Sequence, residues 1–261
     1  MSKHPSYIPS DIVDSIVDLL HDDREALKRC SLISTPWVPR TRKHLFNEVK
    51  FDSPSRLSAW KKTFPDPAKS PAQHARSLIV RCADDVTAEV AKAEDWIRSF
   101  TNVVRLDVSG CGTRINFTPF HVLSSVQSLR VAFGRSRPPE TVVEFICSFH
   151  SLKDLGITND GRGVNEAIFQ PSASPPFTGT LTLSGGLEPI EGVLSALPGR
   201  LRFREIVWNL PSKDELGRLT ALVEMYSDTL ECISIGLAQF GRLCPFVPVT
   251  GSVFEVELNL P

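Results

Sequence analysis

The chain has 261 residues, a formal net charge of -1, and 41% hydrophobic against 23% charged residues, the proportions of a globular protein with ample material for a core. A near-neutral charge supplies no long-range field for nucleic acid or an anionic membrane, and no apolar run approaches the ~18 residues of a membrane span. The first apolar segment carries three aspartates, unlike a secretory signal, and six cysteines at 30, 82, 111, 147, 232 and 244 show no paired spacing for a disulfide framework or zinc site.

The first fifty residues read as three short helices. Ser10 is placed to cap a helix with apolar positions Ile12, Val13, Ile16, Val17, Leu19 and Leu20, interleaved with Asp11, Asp14 and Asp18. Six aliphatics are more than one packing face needs. Asp22 followed by Glu25 resembles a capping box and opens a second helix carrying Ala26, Leu27, Cys30, Ile33 and, beyond it, Trp37. A proline inside a helix costs ~3 kcal/mol, so Pro36 ends that run. With Ser34 or Thr35 as cap, Pro36 becomes the first residue of a third helix, and Pro39 its fourth, where an N–H lacks an intrahelical partner anyway. Three helices of this length cannot bury so many aliphatics alone, so part of that surface must meet the rest of the chain or a partner.

From residue 48 the chain repeats itself. Four-residue alternating units start at 48 (EVKF), 77 (SLIV), 105 (RLDV), 128 (SLRV), 154 (DLGI), 180 (TLTL), 205 (EIVW), 232 (CISI) and 255 (EVEL), spaced by 23 to 29 residues. Amphipathic stretches at 53–64, 86–100, 138–149 and 213–226 fall between them, which predicts parallel strands with returning helices. A doubly wound sheet competes, but it calls for longer buried strands and a glycine-rich phosphate loop. The fold expected is α/β: a three-helix unit over 1–47, then a curved parallel sheet with returning helices, of the leucine-rich-repeat kind, over 48–261. Residues 159–177 and 236–251 read as irregular segments, and the last repeat, ending at Pro261, lacks an evident cap.

The order Ile8-Pro9, apolar helix, "CSLI", Trp37, then "PRTRKHLF" resembles an F-box over roughly residues 6 to 51, and is especially similar to F-box-like segments abundant in mushroom-forming fungi. Ile8 stands for the family's leucine, Asp11 for its glutamate, and Pro36 for a polar or basic residue. The resemblance implies the substrate receptor of a Skp–cullin–F-box ubiquitin ligase, in the cytoplasm or nucleus. Ile8, Pro9, Ile12, Ile16, Leu27 and Ile33 would then meet the Skp adaptor, and through it a cullin, with Trp37 bracing the third helix. An unidentified protein substrate would lie on the repeats, where the alternation displays Arg81, Arg105 and Arg130 early and Glu205, Glu255 and Glu257 late, a gradient from basic to acidic.

Chemistry-bearing motifs are weak. The six histidines show no metal-ligand spacing, "SGCG" around Cys111 reads as a tight turn, and "DGRG" at 160–163 lacks the third glycine of a phosphate loop. The basic residues Arg40, Arg42, Lys43, His44 and Lys50 sit beside Glu48 and Asp52 without interleaved aromatics, which favours a solvated face over a nucleic-acid site. The expectation is therefore a protein that performs no chemistry, uses no cofactor or metal, and binds neither nucleic acid nor membrane. The alternative is a leucine-rich-repeat scaffold whose N-terminal helices merely cap the array, in which case Ile12, Ile16 and Leu27 would all be buried.

Overall fold

The computed structural model describes residues 8–81, 93–109, 117–133, 139–159, 177–185, 187–197, 202–210, 223–224, 228–237 and 253–257. Helix α1 spans Ser10–Leu19, α2 Arg24–Ile33 and α3 Val38–Leu45. Pro9, not Ser10, takes the N-cap place of α1, and its carbonyl accepts from the Val13 N–H at 3.2 Å. The cap of α2 is Asp23, one residue later than the capping-box pattern puts it, and its Oδ1 accepts from the backbone N–H groups of Glu25 and Ala26 at 3.1 and 2.9 Å. Between α2 and α3 the chain makes one 3-10 turn, Thr35–Trp37, so Pro36 is the second residue of that turn rather than the first of α3, and Pro39 sits in the first turn of α3. Both prolines thus lie where no intrahelical N–H is required.

Nine strands among the described residues form one sheet in the order β1 to β9, so that each connection advances one place. They are β1 Glu48–Phe51, β2 Ser77–Arg81, β3 Arg105–Ser109, β4 Ser128–Phe133, β5 Asp154–Asn159, β6 Thr180–Gly185, β7 Glu205–Leu210, β8 Cys232–Leu237 and β9 Val253–Glu257. Strands β1 to β8 are parallel, whereas β9 runs antiparallel to β8, opposing Glu257 to Cys232 and Val253 to Gly236. The reversed last strand departs from the repeat but keeps its period-two register.

The register explains why alternation was so visible. Two rows face the core: Val49, Leu78, Leu106, Leu129, Leu155, Leu181, Ile206 and Ile233, then Phe51, Val80, Val108, Val131, Ile157, Leu183 and Trp208, all buried. Helices α4 (Pro54–Thr63), α5 (Glu94–Arg98), α6 (Pro139–Cys147) and α7 (Leu187–Ala196) add Leu57, Ile97, Val142, Ile146, Ile190 and Val193 to the same core. In β1 to β8, strand positions between the core rows stay partly or fully exposed apart from Ser77 and Gly156, so helices cover one face only. A doubly wound sheet would bury both, and its strand order would not run in sequence.

Each turn of chain is tied to the last by backbone. The carbonyl one residue before β1, that of Asn47, accepts from both Arg76 and Ser77 N–H at 2.8 and 3.0 Å. Arg76 O does the same for Val104 and Arg105, Val104 O for Gln127 and Ser128, Gln127 O for Lys153 and Asp154, and Arg204 O for Glu231 and Cys232. This shared acceptor sets the strand entrances in line and fixes the register by main chain alone.

The helix read over 86–100 is described only as α5; residues 82–92 lie outside the described residues, as do 213–222 and 225–226 of the stretch at 213–226, the motifs at Cys111 and 160–163, and most of both irregular segments. Helix α7 was not anticipated, because Pro189 and Gly192 break its pattern.

Candidate docking surface

Helices α1 to α3 enclose a small core of their own. Val13, Val17 and Leu27 are buried there, with Leu20, Trp37 and Leu45 packed on them, apart from the core that begins at Val49. At ~100° per residue, Val13, Val17 and Leu20 share one side of α1, while Ile12, Ile16 and Leu19 form a second stripe about 100° round the helix. The surplus of aliphatics noted in the sequence is this second stripe.

Six large hydrophobic side chains are exposed among the described residues: Ile8, Ile12, Ile16, Leu19, Leu32 and Ile33, from 38% to 85% accessible. All lie within residues 8–33, and none on the sheet-bearing part of the chain. Scattered single exposed aliphatics are ordinary, but five on two short helices, with Ile8 just before the first, are not. Leu19 and Leu32 are the most exposed, at 84% and 85%, yet were not singled out from sequence. Their signal was available, since Leu19 completes the Ile12–Ile16 stripe and Leu32 sits within "CSLI".

Leu27 requires a correction. Expected to face a partner, it is fully buried against Val13 and Val17 and supports the surface from beneath. Its spacing to Cys30, also buried, marks the inner side of α2 rather than the outer. Trp37 is half-buried over the same small core, and its carbonyl accepts from Thr41 Oγ1 at 2.9 Å, so it joins the 3-10 turn to α3. Pro9 is exposed at the start of α1.

Charge fixes α1 to α3. Arg40 Nε donates to Asp18 Oδ1 at 2.6 Å, its Nη2 contacts Oδ2, and His44 Nε2 lies 2.7 Å from Oδ1. The Arg40 and His44 hydrogen bonds hold the Asp18 carboxyl well below the usual carboxylate range. Two members of the basic cluster are therefore engaged by an aspartate of α1, a pairing across 22 and 26 residues that no local spacing announces. Lys50 pairs with Asp52 at 3.5 Å. Below α3, Phe46 meets Trp60 and Phe64 edge-on at 5.8 and 6.0 Å, and Trp60 stacks on Phe100 at 5.9 Å, which ties the helices to the first repeats.

On the open face of the sheet, Arg81, Arg105 and Arg130 occupy three different rows of β2, β3 and β4. Glu205 lies on the same face and accepts from Thr180 Oγ1 at 2.9 Å. The simple gradient does not hold, because Glu48, Asp107 and Asp154 share the basic end. Burial pushes the Asp107 carboxyl up, against the opposite pull of Arg130 and Arg81. Glu255 and Glu257 fall in β9, opposite Ser234 and Cys232.

No family model matches the chain, and no curated protein matches it. Among the described residues, no helix is long and apolar enough to cross a membrane, and no group of three or more His, Cys, Asp or Glu is placed to hold a metal ion. The arrangement offers an apolar surface on a braced helical unit and a polar sheet face, both suited to macromolecular contact.

Proposed function

We propose that this protein is an adaptor-bound receptor: α1 and α2 dock on a Skp-type adaptor, and through it on a cullin, while the sheet-bearing part holds a protein substrate for ubiquitin transfer. The observation that carries the reading is the concentration of every large exposed aliphatic among the described residues on α1 and α2, with Ile8 just before α1. Burying such a side chain is worth ~1.5–3 kcal/mol, so a partner covering several of them gains ample affinity for a stable complex. The resemblance of residues 6 to 51 to an F-box names the partner class. The contact set is Ile8, Pro9, Ile12, Ile16 and Ile33 as read from sequence, with Leu19 and Leu32 added and Leu27 moved to a supporting role.

The scaffold alternative would bury Ile12, Ile16 and Leu27 together; Leu27 is buried, but Ile12 and Ile16 are exposed, which favours the receptor reading. As a receptor the protein performs no chemistry. It acts by holding substrate lysines near the ligase's transfer centre, which raises their effective concentration. The aromatic junction at Phe46 and Trp60 supports that role by joining dock and repeats without a flexible linker.

The test is co-purification with a Skp adaptor, wild type beside an Ile12→Asp, Ile16→Asp double variant. The wild type is expected to form a stable complex and the folded variant to lose it. A folded wild type that does not associate would remove the ligase reading.

A further inference from the structure

The parallel register lays out a grid on the open face of β2 to β4. Its three rows read Ser77, Arg105, Ser128; then Ile79, Asp107, Arg130; then Arg81, Ser109, Ala132. Nine positions thus hold three arginines and one aspartate, in a chain whose net charge is -1. The remaining positions are mostly small, and Arg81 is half-buried. Arg105 and Arg130 are exposed, and neither closes an ion pair with an acid among the described residues. Asp107, the acid between them, is half-buried instead.

Arg130 is also positioned. An added Cβ on Gly156, its neighbour on β5, would lie 2.8 Å from Arg130 Cγ, so the stem of Arg130 rests in the space that glycine leaves. Its guanidinium is thereby presented from a supported stem, with less side-chain freedom to lose on binding. Arg105 and Arg130 sit on adjacent strands two residues out of register, which puts their Cα atoms on the order of 8 Å apart. Alternate side chains on one side of an extended peptide are separated by about 7 Å. The two spacings match.

We propose that this face binds an extended, acidic segment of a target protein, with carboxylates at alternate positions meeting Arg105 and Arg130. The inference rests on the receptor reading in naming what is received, and it identifies the substrate class by charge and spacing. The guanidinium groups of Arg105 and Arg130 favour carboxylates by charge-assisted hydrogen bonds, and they fix which way a charged segment lies.

The probe is a fluorescein-labelled peptide of about ten residues alternating Glu and Ser, followed by anisotropy at low salt and compared with a Lys-Ser peptide of equal length. The full chain is expected to bind the acidic peptide and not the basic one, with affinity falling as salt rises. Arg105→Glu and Arg130→Glu are each expected to weaken binding about ten-fold. The double variant Arg42→Glu, Lys43→Glu, which changes exposed cations on α3, is expected to leave it within about two-fold. Equal loss in the α3 variant, or no preference for the acidic peptide, would overturn the inference. Adaptor association is measured on the same preparations. Adaptor binding without peptide binding removes this inference and leaves the receptor reading, and the converse removes the receptor reading while leaving the acidic-segment site.

Discussion

Leu27 and Ile16 are both aliphatic residues of the N-terminal helices, and their surroundings give them opposite roles. Leu27 is fully enclosed by Val13, Val17 and their neighbours, so Leu27→Ala leaves a cavity and is expected to cost ~2–5 kcal/mol, read as a fall in the urea midpoint of the helical unit. Ile16 is 38% accessible, so Ile16→Asp is expected to lower the urea midpoint less than Leu27→Ala does while abolishing adaptor association. The F-box resemblance implies an adaptor contact for both, and periodicity shows that α1 has apolar residues to spare without saying which stripe turns inward. Only the position of α2 decides that. At Gly185 the constraint is backbone: φ is +97°, and an added Cβ would meet Asn159 O at 1.9 Å. Gly185→Ala is therefore expected to lower thermal stability by at least ~1–2 kcal/mol, and an unchanged melting temperature would contradict that geometry.

Among elements, α1 and α3 are joined by a carboxylate whose protonation is legible in its partners. Arg40 and His44 depress the Asp18 carboxyl, so the stabilisation of the pair is complete above the ordinary carboxylate pKa of ~4 and is lost as pH falls from there through the depressed value. Amide exchange of α1 is accordingly expected to quicken on acidification below that point, and Asp18→Asn to make exchange faster at neutral pH and less dependent on acid. The strands were legible in sequence and the connecting helices less so, for a physical reason. A strand here needs only four to six residues with two inward side chains, and every repeat supplies them in one register. Helix α7 keeps Pro189 and Gly192, residues that local propensity rejects, because Ile190, Val193 and Leu194 are buried in the shared core. The reversal of β9 was equally hidden, since alternation is the same in either direction along a strand.

Across the whole molecule, two buried clusters serve two purposes. The larger is continuous through the strands and helices of the repeats, and the smaller holds together helices whose other apolar stripe is left uncovered. The aromatic group of Phe46, Trp60, Phe64 and Phe100 joins them, so Trp60→Ala is expected to loosen the dock from the repeats, at a cost of ~3–5 kcal/mol, and to speed amide exchange in both α3 and β1. The central claim is that the uncovered stripe is a partner's seat. It is tested most directly by hydroxyl-radical footprinting of the full chain with and without a Skp adaptor. Oxidation of Ile12, Ile16, Leu19 and Ile33 is expected to fall several-fold in the complex, while Leu27 stays unmodified in both states. Unchanged oxidation of those four side chains with the adaptor bound would contradict the account.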